Sequence, residues 1–324
     1  MYRASPITSE YSRVTVGIVT YNSSDHIGPC LDSVAKNLKD ASPTVIVLDN
    51  ASEDNTLEVL SRLEKKYPFS LHTIPQGVNH GYAWGANRIA QLAGCEWLCF
   101  VNPDARLLTG AFQHAKDLIR THPTCGVIGG ILTDPDGRPQ ECGGVFPTPL
   151  MAVWDWCGLR HLIPRSRWST TVKLNLPEDR APRRIDYPTG AFWFMRREVF
   201  ERTGPFDERF FLYFEETDFC LRAKKKGWSS FVHPAIRVEH HRGGSTFHQP
   251  GSASSDMLGI YFESLVYYLY KHFPSWRVEN ALRTIHNFLR VRKAILKNEK
   301  SERIYEAFEE GRSKAEKHLP TADS

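Results

Sequence analysis

Over the first hundred residues the apolar positions follow two rhythms in turn. Val14-Thr15-Val16-Gly17-Ile18-Val19 is a short, nearly continuous apolar run and predicts a buried strand. Leu31, Val34 and Leu38 then recur at helical spacing. Val45 to Leu48 predicts a second strand, closed by Asp49-Asn50-Ala51-Ser52-Glu53-Asp54-Asn55, and Leu57, Leu60 and Leu63 mark a second helix. A short strand from Ser70 to Ile74 leads through Gly77 to Tyr82 into a helix over Gly85-Ala86-Asn87. Trp97 to Val101 predicts a fourth strand, ending in Asn102-Pro103-Asp104. Strands alternating with helices across short connections predict an α/β chain with a mainly parallel sheet covered on both faces. Such sheets bind ligands beyond the carboxyl ends of their strands. Polar clusters sit at three of those ends: Thr20-Tyr21-Asn22, Asp49-Asn50 and Asn102-Pro103-Asp104.

From Thr121 to about Pro188 the regularity weakens. Gly126 to Gly130 reads as a strand and Asp134 to Arg138 as a turn, and the remainder as a long, partly mobile insertion near the crevice. Tyr187 to Met195 reads as one strand, Arg196 to Thr203 as a short helix and Gly204 to Asp207 as a turn. The stretch Phe210 to Arg222 then sets Glu215, Glu216 and Asp218 among Phe, Leu and Tyr. A carboxylate there loses hydration, so it must meet a cation or hydrogen bonds or be pushed toward protonation. In a helix beginning near Thr217, Asp218 pairs with Arg222 one turn on, and Glu216 has no local partner. These residues alone fit either a capped helix with one salt bridge or a site where a carboxylate acts as a base. Trp228 to Pro234 predicts a further strand, followed by Val238-Glu239-His240-His241. Beyond Gln249 an aromatic segment and a basic amphipathic segment read as two helices joined at Pro274, ahead of a charged tail.

The length of 324 residues accommodates one large α/β domain, 13–249, and a helical extension, 250–324. A formal charge of +4 provides no case for nucleic acid as a partner. The seven cysteines form no CxxC pair, which predicts reduced core thiols and a cytoplasmic setting. The polar N-terminus lacks the apolar core of a signal peptide, and no run reaches the roughly 20 apolar residues of a membrane span. A dinucleotide enzyme would need a Gly-rich turn after the first strand, where this chain reads Thr20-Tyr21-Asn22-Ser23-Ser24-Asp25, and no P-loop lysine motif occurs. Phosphate would have to be met by a metal or by other donors.

Several segments, in order, resemble the family 2 inverting glycosyltransferases. They are Val16 to Asn22, Asp49 to Asp54, Asn79 to Asn87, Asn102-Pro103-Asp104, Gly190-Ala191, Phe214 to Asp218 with Arg222, and Val238-Glu239-His240. The similarity covers roughly 13–247, and its nearest subgroup is the bacterial rhamnosyltransferases of cell-surface polysaccharide synthesis. It implies a GT-A fold, Rossmann-like, with the mainly parallel sheet and C-terminal helices. A nucleotide-sugar donor (a dTDP- or UDP-sugar, with L-rhamnose first) would lie across the strand ends. Thr20, Tyr21 and Asn22 would line the nucleoside pocket, Asp49 would contact base or ribose, and Asn79, Gly81 and Asn87 would shape the donor pocket. Turn and helix-cap chemistry accounts for these last residues almost as well. Gly190 and Ala191 would also bind substrate, as would Asn102, Asp218 and Arg222.

Asn102-Pro103-Asp104 stands where the family carries an Asp-any-Asp metal motif, so Asp104 is the one anionic ligand left, and Asn102 is a departure. A magnesium or manganese ion would be held by Asp104 and His240 with the diphosphate and water. By motif position Glu216 would be the base that deprotonates the acceptor hydroxyl, Glu215 would orient the acceptor, and Asp218 would anchor the loop through Arg222. The acceptor implied is a lipid-linked or oligosaccharide glycan, and the extension would suit the inner membrane face. A non-catalytic nucleotide-binding module, or a two-carboxylate glycoside hydrolase, stands as the alternative.

Overall fold

The computed structural model describes residues 14–38, 43–158, 171–172, 181–241 and 255–319. These fall into two compact units, one drawn from 1–144, 171–209 and 215–246, the other from 145–170, 210–214 and 247–324. The boundary expected at 249/250 lies outside the described residues.

The first unit is built on β1 (Val14–Thr20), β2 (Thr44–Asp49), β3 (Ser70–Pro75) and β4 (Trp97–Val101), all parallel. Every residue of β1, β2 and β4 is buried, which is why they read as continuous apolar runs. Helices α1 (Ser24–Asn37), α2 (Thr56–Leu63) and α3 (Tyr82–Leu92) connect them, and α1 buries Ile27, Cys30, Leu31 and Val34. In register, Thr20 lies opposite Asp49 and Asp49 opposite Pro75. The chain therefore leaves three adjacent strands at one level of one edge.

The chain continues through β5 (Ala105–Leu107), α4 (Ala111–Thr121), β6 (Cys125–Thr133), β7 (Gly143–Gly144), α5 (Pro149–Trp156), β8 (Thr171–Val172), β9 (Arg183–Ile185), β10 (Tyr187–Pro188), β11 (Phe192–Arg196), α6 (Arg197–Thr203), α7 (Glu215–Lys225) and β12 (Ser229–His240). Among the described residues nine strands share one sheet in the order β3-β2-β1-β4-β11-β6-β12-β5, with β9 also on β12. β11 runs antiparallel between β4 and β6, and β12 is parallel to β6.

Two sequence expectations change here. Tyr187 to Met195 is not one strand: Tyr187–Pro188 pairs with β7 in a separate three-stranded sheet, and only Phe192 onward joins the main sheet. The chain changes sheets at Thr189-Gly190-Ala191. The strand expected to stop at Pro234 runs on to His240, because a register shift between His233 and Arg237 takes up the residue with no N–H. The extension sets His240 opposite Ala105. Of the region read as an insertion, 125–133, 143–144 and 149–156 are regular elements, while 159–170 and 173–180 lie outside the described residues.

The second unit contains α5, α8 (Ser255–His272), α9 (Ser275–Leu296) and α10 (Glu299–Lys317). Pro274 separates α8 from α9 as expected. The segment read as a loose charged tail is instead the regular helix α10, with Ala307, Phe308, Gly311 and Ala315 along its buried face. A side chain at Gly311 would fall 2.5 Å from the Gly259 carbonyl, so its absence lets α8 and α10 close. Phe262, fully buried, packs at a tilt against Trp156, with ring centroids 4.3 Å apart, and meets Phe308 edge-on at 5.2 Å. No described helix is long and apolar enough to cross a membrane. All seven cysteines are buried free thiols.

Candidate active site

Three loops at the carboxyl edge of β1, β2 and β3 are tied into one polar framework. Asn22, at φ +49°, donates its N–H to Ser52 Oγ at 2.9 Å and accepts from Glu53 N at 2.8 Å. Left-handed backbone is tolerated best by Gly and Asn. Ser52 donates its hydroxyl to Asp49 Oδ1 at 2.5 Å and its N–H to Oδ2 at 3.1 Å. Both oxygens of the fully buried Asp49 are thus answered within its own turn. Asn50 reaches the third loop: Nδ2 donates to Asn79 Oδ1 at 2.8 Å and to the Gly81 carbonyl at 3.1 Å, and Oδ1 accepts from His80 N at 3.0 Å. Asn79 also accepts from Gly81 N at 2.9 Å, and Gly81 starts α3 at φ +85°, where a glycine is favoured. Thr20, Asn22, Asp49, Asn79 and Gly81 are therefore brought together. Thr20 Oγ1 is buried without a hydrogen-bond partner, and Tyr21 is half-buried. Asn50 and Ser52 hold the arrangement, although the sequence showed them only as members of a turn.

The end of β4 is built differently. Asn102 is tied through its main chain, with its N–H donating to the Ala191 carbonyl at 3.0 Å and its carbonyl accepting from Ala105 N at 3.0 Å. Asp104 is 4% exposed, and its Oδ1 accepts no hydrogen bond. That oxygen faces His240 Nε2 at 3.4 Å. The His241 N–H donates to the Asp104 carbonyl at 2.9 Å, which holds the two segments together. Buried Gln140 packs on the far side of His240, a residue that no sequence motif marked. No group of three or more His, Cys, Asp or Glu that could hold a metal occurs among the described residues. The Asp104–His240 pair nevertheless fits a divalent ion that completes its shell from a diphosphate and water. One acceptor lacks a partner, and 3.4 Å is within the roughly 4.2 Å that two ligands at about 2.1 Å each can span.

Glu215 and Glu216 open α7, directly after Tyr213 and Phe214, which sit at φ +70° and +65°. Such conformations cost on the order of 1–3 kcal/mol each and cluster at functional sites. Glu215 is 6% exposed and Glu216 half-buried, and each keeps one buried carboxylate oxygen without a hydrogen-bond partner. Burial pushes both carboxyls above the ordinary carboxylate range. Glu215 rises well above it, since the charge of Glu216 and a side-chain hydrogen bond between the two add to burial. That same bond lowers Glu216, as does a backbone hydrogen bond. Burial of two adjacent acids thus favours keeping a proton within the pair. The Tyr82 phenol is pushed up by burial and then by both glutamates, so it stays protonated beside them. A side chain on Gly190 would come within 3.7 Å of Glu216 Oε1. Gly190-Ala191 therefore borders the space before Glu216 on one side and, through the Ala191 carbonyl, bonds Asn102 on the other.

Asn87, Asp218 and Arg222 are spent elsewhere. Asn87 exchanges hydrogen bonds with the Phe206 main chain at 2.9 and 2.8 Å and donates to Glu208 at 2.8 Å. Arg222 pairs with fully buried Asp218 at 2.8 Å and donates to the carbonyls of Thr203 and Pro205 at 3.0 and 2.8 Å. Both clamp the 203–208 segment, the anchoring role expected of the Asp218–Arg222 pair.

The family model described as Glycosyl transferase family 2 matches residues 15–204. The chain is 30% identical over 246 residues to the N-acetylglucosaminyl-diphospho-decaprenol L-rhamnosyltransferase of Mycobacterium tuberculosis, covering 72% of this chain and 78% of that protein. It is 24% identical over 235 residues to the dTDP-rhamnosyl transferase RfbF of Shigella flexneri, covering 72% and 70%. Among solved structures it is similar to the mannosyltransferase PcManGT from Pyrobaculum calidifontis in complex with GDP-Man and Mn2+. The TM-score is 0.53 at 15% identity, over 94% of this chain and 88% of that one. S. aureus TarS 1–349 in complex with UDP-GlcNAc gives a TM-score of 0.53 at 18% identity, over 91% and 79%. The fold is that of the GT-A glycosyltransferases.

Proposed function

The chain belongs to the family 2 glycosyltransferases, and we propose that it transfers L-rhamnose from dTDP-L-rhamnose, with inversion, to a lipid-linked saccharide during cell-surface polysaccharide synthesis. The observation that carries the chemistry is the Glu215–Glu216 pair, in which each acid keeps one buried oxygen without a hydrogen-bond partner and Glu216 Oε1 faces the Gly190 position. Glu216 takes the proton of the acceptor hydroxyl as that oxygen attacks the anomeric carbon, and the bond to the diphosphate breaks on the opposite face. Glu215 orients the acceptor beside that base. Tyr21 and Asn22 take the nucleoside above the fully buried Thr20 and Asp49, which hold the strand ends beneath it, with Asn79 and Gly81 shaping the pocket beside them. Asp104 and His240 would hold a magnesium or manganese ion, which would offset the charge developing on the leaving diphosphate. The transferase core proposed within 13–249 omits 145–170 and 210–214, which group with the C-terminal helices.

The sugar and acceptor rest on the names of the two relatives, both rhamnosyltransferases. Purified protein is incubated with dTDP-L-rhamnose, UDP-GlcNAc, UDP-galactofuranose and GDP-mannose, each with a polyprenyl-diphosphate-linked GlcNAc, and the nucleotide released is identified. Acceptor-dependent release of dTDP is expected. Release from another donor alone would sink the rhamnose assignment, and turnover independent of acceptor would sink transfer.

Helix α9 supports work at an anionic membrane face. Half of the exposed large apolar side chains among the described residues lie on it: Trp276, Phe288, Val291, Ile295 and Leu296, with Ile295 72% exposed. Arg277, Arg283, Arg290 and Lys297 are exposed on the same helix or at its end. An apolar stripe flanked by basic residues suits a surface of anionic lipid. Flotation with phosphatidylglycerol vesicles should be salt-sensitive and weakened by Ile295→Glu; equal recovery without vesicles would remove this reading.

A further inference from the structure

Gln140 touches His240 twice. Its Nε2 donates to the His240 carbonyl at 2.8 Å, and its Oε1 lies 3.2 Å from His240 Nδ1. The first contact decides the second. A backbone carbonyl only accepts, so the NH2 of the amide must face it, and Oε1 must then face the imidazole. Oε1 is an acceptor as well, so the hydrogen on that side belongs to His240 Nδ1. In the neutral ring Nε2 is then the bare nitrogen, and it faces the buried, unpartnered Oδ1 of Asp104 at 3.4 Å. Two lone pairs held that close repel unless a proton on Nε2 or a metal cation lies between them.

Gln140 is itself fixed. It is 8% exposed, and its N–H donates to the Leu132 carbonyl at 2.8 Å where the chain turns back beside β6. The Asp134–Arg138 turn just before it is closed by its own hydrogen bonds: Gly137 N to the Asp134 carbonyl at 2.9 Å and Arg138 N to Asp134 Oδ1 at 2.7 Å. The loop between β6 and β7 thus delivers one amide to one histidine from a rigid base.

We propose that Gln140 is a positioning residue that holds His240 as the Nδ1–H tautomer, so that Nε2 and Asp104 Oδ1 together face a divalent cation. The cation, though not the tautomer, rests on the metal reading of the Asp104–His240 pair given above. Outer partners of this kind orient a ligating histidine, and losing one typically costs about 10–100-fold in metal affinity.

Two measurements test it. In 15N-labelled wild-type protein, long-range 1H–15N correlation spectra should show His240 protonated at Nδ1 and bare at Nε2; protonation at Nε2 in the neutral ring would overturn the proposal. Mn2+ binding is then followed by electron paramagnetic resonance with dTDP present. Gln140→Leu should raise the Mn2+ dissociation constant about 10–100-fold while dTDP affinity without metal stays unchanged. Gln140→Glu keeps an acceptor for Nδ1–H but sets its other oxygen against the His240 carbonyl, so it should fall between wild type and the leucine variant. It also serves if the leucine variant does not fold. Unchanged Mn2+ affinity in the leucine variant, or a glutamate variant as weak as it, overturns the proposal. If wild-type protein itself binds no Mn2+, the Asp104–His240 metal reading fails and takes the cation role of Gln140 with it, an outcome told apart because the parent, not only the variant, is silent.

Discussion

The two halves of the sheet edge treat their polar atoms in opposite ways. At the β1–β3 side, Asp49, Asn50, Ser52 and Asn79 answer one another, so that even a fully buried carboxylate has both oxygens paired. Toward β4, Asp104, Glu215 and Glu216 each hold a buried oxygen with no hydrogen-bond partner. An unsatisfied buried polar atom costs about 1–3 kcal/mol, more when charged. The first side is a frame that leaves only the neutral Thr20 hydroxyl unanswered among its described residues; the second leaves carboxylate oxygens unanswered, and a cation and a hydroxyl are the partners that would relieve them. Stability and activity should therefore separate along this edge.

The largest separation is expected at Glu216. Glu216→Gln should cut transfer by about 10²–10⁴-fold while dTDP affinity and melting temperature stay near the parent's. If Glu216→Gln transfers normally and Glu215→Gln is dead, the base is Glu215. Next comes Asp104→Asn, which removes the one acidic ligand. With dTDP present its Mn2+ affinity and its transfer rate should fall together by about 10²-fold. Full activity of the parent in excess chelator would instead mark a metal-independent enzyme.

The frame should respond the other way. Asn50→Ala unties three groups at once and should lower unfolding free energy by about 2 kcal/mol in a denaturant titration. Catalytic turnover at saturating donor should fall less than donor affinity. A variant of parental stability would mean that the three loops stand without their bridge.

The smallest effect is a pH dependence. Burial raises Glu215 in the folded protein, so its contribution is complete below the ordinary carboxylate range of the unfolded chain and is lost as pH rises toward the folded value. Glu215→Gln has no such proton to lose, and its melting temperature relative to the parent should climb from pH 4 to pH 8. A difference that is flat with pH would show that Glu215 titrates as it does in the unfolded chain.

Much of the fold was legible in the sequence. Strands buried on both faces leave apolar runs, helices packed on one face leave a period near 3.6, and β1, β2, β4, α1 and α2 follow those signals. Short loops between such elements allow little besides a parallel sheet, and the polar residues at its edge are then the candidates for a site. The helix α10 escaped because Glu, Lys and Arg dominate it. Its packing rests on Gly311 and Ala315, which carry no hydrophobic signal, and on the single large side chain Phe308. Likewise the split at Thr189-Gly190-Ala191 is invisible locally, since either sheet would accept those residues.

Residue chemistry by itself marked the acids, the histidine and the asparagines. Only the tertiary structure decided which were already spoken for. Asn87 and Asn50 are the same residue type in similar polar settings, yet one clamps the Phe206 main chain and the other bridges the loops of the site. Gln140 lies 100 residues from His240, and their contact exists because β12 runs past Pro234 beside β6. A hydrogen bond is a relation between two groups in space, and a chain specifies it only by folding.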